Sequence, residues 1–553
     1  MPFDRMAHSP RLSGFALSAA ARLTRSRIGS TALSSLFRKE LKVTELRELP
    51  DHLRGPFPLD VRPLAGRPPR SAADAGLAPP RPPWSGSSAT LAEAYRSGRT
   101  TPEEVADRAL REARALAARS PAMGPLMAYA DDAARSEARA STARWQAGKP
   151  IGPLDGVPTA IKEELCVRGF PWTRGTDIGD PSPRADDATV AARVRASGAV
   201  ILGITPMTEY GLTPTGINPK RTMPRNPHLS ACMAGGSSTG AGVAVATGLV
   251  PFAIGADGGG SIRTPAALNG IFGIKPTWGR VSRAGGSSGS VAHVGPLASS
   301  TLDLARVIDA VSGPDPLDPE TRDAPLPGGL ERAIGRGVRG LVIGVLEQEF
   351  SDASPEIAKA GQMAIDALVK EGARIVSVAT PLARYAPAIG YVTIAVEART
   401  ILSQEWREHA ADLTPDLQLT FATLDALTAP ELLDAQRLRA GLRRDIARWF
   451  EEVDLLALPT TVATAGRVSD AEMATGVVDT RLLDGLCRFA FLANLTGLPA
   501  GSVPVALDRE GLPIGFQLVG DAWDEATVLA AMAHLERIEA ASVKRPAVAV
   551  DRG

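Results

Sequence analysis

Cysteine is scarce in this chain: three in 553 residues, Cys166, Cys232 and Cys487, far apart and never in a Cys-x-x-Cys pair. That excludes a disulfide scaffold and a zinc ribbon, and makes a reducing compartment the simpler assumption. Net charge is lacking too. The 61 Lys and Arg balance 61 Asp and Glu, so nothing points to nucleic acid as a partner. No run approaches the ~18 uninterrupted apolar residues that would read as a membrane-spanning helix. What the chain does have is core material. Hydrophobic residues make up 44% of it, which excludes wholesale disorder. The length suits roughly three to four average domains, or one large α/β fold.

The first 89 residues read as an extension of different character. Residues 1–39 carry seven basic side chains (Arg5, Arg11, Arg22, Arg25, Arg27, Arg38, Lys39) against Asp4 alone. Apolar residues from Leu12 to Phe37 are dispersed among them. Such a segment reads as a packing arm or a frayed extension, or alternatively as a peripheral contact with an anionic membrane surface. Its apolar centre is too weak for a cleaved signal peptide. Residues 51–90 then hold nine prolines, the composition of an extended arm.

A globular pattern begins at residue 90 and runs to about 545. Thr101-Pro102-Glu103-Glu104 is a helix start, with a capping hydroxyl, an early proline and a glutamate three residues on. The apolar runs Ala199–Ile204, Leu341–Leu346, Leu455–Leu458, Ser502–Ala506 and Gly515–Val519 read as strands. Between the second of these and Arg374–Val378, a helix opens at Ser354-Pro355-Glu356 and stops near Gly372. That strand–helix–strand unit belongs to a mixed or parallel sheet. Asp524–Glu539 reads as a last helix.

The chemistry concentrates between Gly152 and Gly295. Gly235-Gly236-Ser237-Ser238-Thr239-Gly240 leads into a small-residue helix, Ala241–Gly248. The run Gly258-Gly259-Gly260-Ser261 ends twenty-four residues after Ser237 and is a source of several backbone N–H groups aimed at one point, as an oxyanion would require. Upstream, Pro158-Thr159-Ala160-Ile161-Lys162-Glu163 sets a lysine at the end of an apolar, strand-like run. Taken singly, each Gly/Ser turn is as well read as a tight turn, and the lysine as a surface residue.

Together these segments resemble the amidase signature family of serine hydrolases. The densest resemblance is Gly235–Ser282. Gly152–Glu163, Asn226-Pro227, His293–Pro296, Asn494–Pro499 and Gly511–Gln517 add to it. The resemblance implies a mixed central β-sheet flanked by helices and a catalytic triad of Lys162 as base, Ser237 as a cis-peptide serine and Ser261 as nucleophile. It implies an oxyanion hole from the backbone N–H groups of Gly258, Gly259, Gly260 and Ser261, and an acyl-enzyme intermediate, with no cofactor and no metal. A serine hydroxyl attacks only when a neighbour takes its proton, and lysine can take it only when neutral. Around this set, Ser238 is a supporting residue, and the spacing of Asp257 and Arg263 suggests a pair bracing the glycine turn. Met207, Tyr210, Leu212, Ile217 and Met223 mark a pocket wall for an apolar or aromatic acyl group.

The sequence departs from the family's usual pattern at Thr239, Ala256, Glu163 and Thr205-Pro206. None of these removes a triad atom; they bear on substrate choice. Gly285-Gly286-Ser287-Ser288-Gly289 imitates a nucleophile elbow but lacks a preceding strand and reads as an exposed loop. Gly335–Gly340 imitates a dinucleotide fingerprint on the wrong side of its strand. His228 and His293 read as structural hydrogen-bonding residues, and Cys232 as a pocket-lining or packing thiol. The expected activity is hydrolysis of a small-molecule carboxylic amide to acid plus ammonia or amine. The alternatives are the glutaminase component of a tRNA-dependent amidotransferase and a non-catalytic scaffold. A cytoplasmic location and a homodimer complete the expectations.

Overall fold

The computed structural model describes residues 11–24, 26–55, 60, 62–66, 87–541 and 545–550. The proline pairs Pro68-Pro69, Pro79-Pro80 and Pro82-Pro83 lie outside the described residues. Its centre is an eleven-stranded sheet in the order Ala128–Tyr129, Val200–Thr205, Pro158–Lys162, Phe252–Asp257, His293–Ala298, Phe272–Lys275, Ala500–Leu507, Pro513–Gly520, Leu455–Pro459, Val342–Val345, Arg374–Ser377. The sheet is mixed. Val200–Thr205, Pro158–Lys162 and Phe252–Asp257 run parallel, as do the last three strands in that order. The centre between them is antiparallel. The apolar runs became strands because they are buried on both faces. Val200 and Leu202 pack with Ala106, Leu110 and Ala244 on one side, whereas Ile201 joins Leu304, Val307 and Leu529 on the other.

The helix signals are realised as well. Thr101 accepts the Glu104 N–H (3.2 Å) while Glu104 accepts the Thr101 N–H (2.9 Å), opening the helix Pro102–Ala117. Ser354 caps Pro355–Lys370, which connects the parallel strands Val342–Val345 and Arg374–Ser377. Where the sequence suggests only a basic arm, two helices form, Gly14–Leu23 and Arg27–Glu40. Leu17 is fully buried beside Leu419, Arg38 pairs with the buried carboxylate of Glu431, and Leu12–Ser13 pairs antiparallel with Val477–Val478. The arm therefore packs on the body. Among the described residues no helix is long and apolar enough to cross a membrane.

The last helix, Glu525–Arg537, carries a carboxylate whose burial has a measurable consequence. Glu536 accepts the Thr301 N–H at 3.0 Å. Burial, opposed by that hydrogen bond, raises its carboxyl from 4.5 to about 7. A carboxyl raised on folding contributes stability at acid pH and loses it as pH rises through the folded value. Glu536→Gln should therefore flatten the fall in unfolding free energy between about pH 4.5 and 7, and should stabilise the protein at pH 8 by ~1–3 kcal/mol. Urea unfolding at a series of pH values measures both.

Candidate active site

Three segments bring the site together at one end of the parallel strands. Lys162 is the last residue of its strand and fully buried. Its Nζ donates to Ser237 Oγ at 2.8 Å and reaches the Ala256 carbonyl at 3.5 Å. The Gly236-Ser237 peptide is cis, and the helix Thr239–Ala246 starts directly after it with Ser238 as its N-cap. Gly240 permits this start: a Cβ there would stand 2.4 Å from Pro206 Cδ and 2.7 Å from the Pro125 carbonyl. Ser238 Oγ donates to the Ala256 carbonyl (3.1 Å) and accepts the Ala256 N–H (3.3 Å), so it ties the helix start to the end of the next strand.

That strand ends at Asp257, and the glycine turn follows. Asp257 and Arg263, both buried, meet through two hydrogen bonds of 3.0 Å. Arg263 also donates to Asn494 Oδ1 (2.6 Å), Gln517 Oε1 (2.6 Å) and the Ala490 carbonyl (2.9 Å). Asn494 returns a hydrogen bond to Asp257 Oδ1 at 2.9 Å. Burial alone would raise the Asp257 carboxyl; the charge and hydrogen bonds of Arg263, with Asn494, hold it well below the usual carboxylate range. The carboxylate then shapes the turn by accepting the N–H groups of Gly260 (2.7 Å) and Ile262 (3.1 Å). The Gly260 N–H, expected from the sequence to serve an oxyanion, is thus already engaged. Gly260 itself sits at φ +117°, where only glycine is at ease.

Ser261 and Ser237 line one open cavity of about 770 Å³, together with Asp257 and Gly258. Of the residues expected at its wall, Tyr210 and Leu212 are there. Ile217 is instead packed in the core with Leu268, Met223 lines a separate surface depression, and Met207 is fully buried beside Gly211. Cys232 is a packing thiol, buried in the core and raised by burial. His228 bonds the Asn269 carbonyl and His293 that of Val291, the structural roles expected of them. Glu163 turns away from the cavity and accepts from Met207 N, Thr173 Oγ1 and Arg221.

Several wall residues had no sequence signal. The helix Ala386–Ile401 contributes Ile394, Glu397, Ala398 and Ile401. Arg174 lies over the rings of Trp172 and Tyr210, 5.1 Å from each centroid. Arg174 and Tyr210 both hold left-handed backbone (φ 54° and 49°) and are joined by a hydrogen bond from Tyr210 N to the Arg174 carbonyl. Such strain gathers at functional sites. Burial pushes the Tyr210 phenol up to about 12, so it stays protonated. The supposed exposed loop 285–289 is only partly exposed: Ser287 is buried and turned into the cavity, where its Oγ donates to Glu164 at 2.6 Å.

Comparison with known proteins gives the family. A family model described as Amidase matches residues 110–529. The chain belongs to the amidase signature family. A fatty acid amide hydrolase from Medicago truncatula is 33% identical over 487 residues, covering 85% of this chain and 80% of that protein. A glutamyl-tRNA(Gln) amidotransferase subunit from Roseiflexus sp. (strain RS-1) is 34% identical, covering 79% and 93%. Among solved structures, a bacterial aryl acylamidase of the amidase signature family superposes with a TM-score of 0.72 at 27% identity, over 83% of this chain and 97% of that one. This member of the amidase signature family is an amide-hydrolysing enzyme with the mixed-sheet fold its sequence implies.

Proposed function

We propose that the protein hydrolyses amides of apolar acyl chains through an acyl-enzyme on Ser261. The observation that carries this reading is the 2.8 Å contact between buried Lys162 and Ser237, in a cavity that Ser261 also lines. Ser237 takes the proton of Ser261 as Oγ attacks the amide carbon and passes its own to Lys162. The N–H groups of Gly258, Gly259 and Ser261 receive the oxyanion. The proton returns along the same path to the departing nitrogen, and water then cleaves the ester with the relay working as before.

An apolar acyl group is supported by a second cavity of about 960 Å³ that shares Leu212 and Ile394 with the first. Its lining includes Leu419, Leu424 and Leu427, with Leu41 and Val43 from the N-terminal arm. Arg38, Thr215, Asp416, Thr420 and Asp479 also line it, so the support for an apolar chain lies in its leucine face. The relative named a fatty acid amide hydrolase points the same way, although glutamine turnover belongs in the same assay because of the amidotransferase relative.

The test is a series of amides of one amine with acyl chains from acetyl to palmitoyl. kcat/KM should rise with chain length, and turnover confined to small polar amides or glutamine would overturn the acyl assignment. Leu212→Trp, at the junction of the two cavities, should lower kcat/KM for the longest chain by about tenfold or more, with little effect on acetyl amides.

A further inference from the structure

Lys162 has a second partner that the relay above does not use. Its Nζ lies 2.6 Å from Glu164 Oε2. Glu164 is two residues further along the chain, and its other carboxylate oxygen accepts the Ser287 hydroxyl at 2.6 Å. Its backbone carbonyl accepts Trp172 Nε1 (2.7 Å), which helps fix the residue. Lys162 is fully buried and the Glu164 side chain is 19% exposed. An ion pair so placed would oppose the chemistry if lysine had to lose its proton to solvent before each turnover, because a neighbouring carboxylate favours the ammonium form.

We propose that Glu164 is a positioning residue that acts through Lys162 as its proton store, so that the working base is the Lys162–Glu164 pair. The inference rests on Ser261 being the nucleophile. When the Ser261 Oγ–acyl carbon bond forms and the carbonyl π pair moves onto oxygen, the Ser261 proton passes to Ser237 Oγ and the Ser237 proton to Lys162 Nζ. In the same step Nζ gives one of its own protons to Glu164 Oε2, and the lone pair so freed takes the Ser237 proton. Lysine ends as the ammonium ion it began as, and Glu164 ends as a neutral carboxylic acid. The transfers reverse as the C–N bond breaks and the leaving nitrogen takes the proton. The charge state needed for attack is then the ion pair itself. Ser287 holds the carboxylate in line.

The other charged groups around the cavity are engaged elsewhere. Asp257 is bound by Arg263, Arg174 pairs with Glu405, Glu397 accepts from Ser290, and Glu163 bonds Arg221 on the far side. A pair that shares one removable proton titrates as a unit. Its acidic limb is set by loss of the first proton, whereas without the carboxylate the limb is set by lysine itself.

The experiment follows the rate of Ser261 labelling by a fluorophosphonate between about pH 5 and 10, which needs no knowledge of the substrate. In Glu164→Gln the acidic limb should move to higher pH by more than about one unit, making labelling at least about tenfold slower on the acid side. Glu164→Asp should bring the limb back towards the wild-type position, and Ser287→Ala should move it upward by less. A limb that stays in place, or moves to lower pH as removal of a mere ammonium-holding anion would cause, overturns the inference alone. Wild-type protein that takes no label at any pH overturns the assignment of Ser261 and the inference with it. Should Glu164→Gln fail to give a native melting transition, Glu164→Asp and Ser287→Ala decide the matter by the direction of their shifts.

Discussion

Ser261→Ala should lower kcat by at least ~10⁴-fold on any amide substrate and remove the fluorophosphonate adduct seen by intact mass, while the thermal transition stays that of the wild type. The expectation is large because, in the proposed mechanism, the Ser261 hydroxyl oxygen forms the covalent bond. It is clean because the Ser261 side chain is only partly buried in the open cavity, so its loss removes little packing. Lys162→Ala should retain the label but acquire it far more slowly, since the proposed relay from Ser261 through Ser237 then has no base at its end. Label on a residue other than Ser261 would contradict the assignment, as would amide turnover in Ser261→Ala near the wild-type rate.

Arg263→Leu should cost ~3–5 kcal/mol of unfolding free energy at neutral pH, the size expected when one partner of a buried, hydrogen-bonded ion pair is removed. Asp257 would keep its burial and lose the cation that holds its carboxyl low. The sign of the pH dependence follows. A depressed carboxyl contributes stability above its unfolded value and loses it as pH falls through the folded one, so the deficit of the variant should shrink as the solution is acidified. Asp257→Asn combined with Arg263→Leu should recover part of the loss, because no charge is then left stranded. Urea titrations at neutral and mildly acid pH supply these comparisons. Equal loss at both pH values would show that Arg263 contributes packing alone.

The reach of the sequence differed by the kind of pattern involved. Strands such as Val200–Thr205 and Leu455–Pro459 were legible because burial on both faces demands an unbroken apolar run. The pairing of Asp257 with Arg263 was legible because six residues across a glycine turn bring two charges together. Contacts between distant loops carried no such mark. Ser287 and Glu164 stand 123 residues apart, and the Gly-Gly-Ser-Ser-Gly stretch looks the same whether it faces solvent or a carboxylate. Ile217 and Met223 were misplaced because hydrophobicity says that a side chain is covered without saying by what. The N-terminal arm was undervalued for a related reason: its small residues give a weak helical stripe, and the surface they cover on Pro415–Leu424 lies far along the chain.

The hydrogen-bonded knot around Arg263 also bears on the order in which the enzyme matures. It joins Arg263 to Asn494 and Gln517 across 231 and 254 residues of chain, and contacts so remote in sequence form slowly. The glycine turn that presents Ser261 is thus held by segments that arrive late. In a refolding experiment, reactivity towards a fluorophosphonate should appear after most of the helical signal has returned. It would serve as a clock for completion of the sheet.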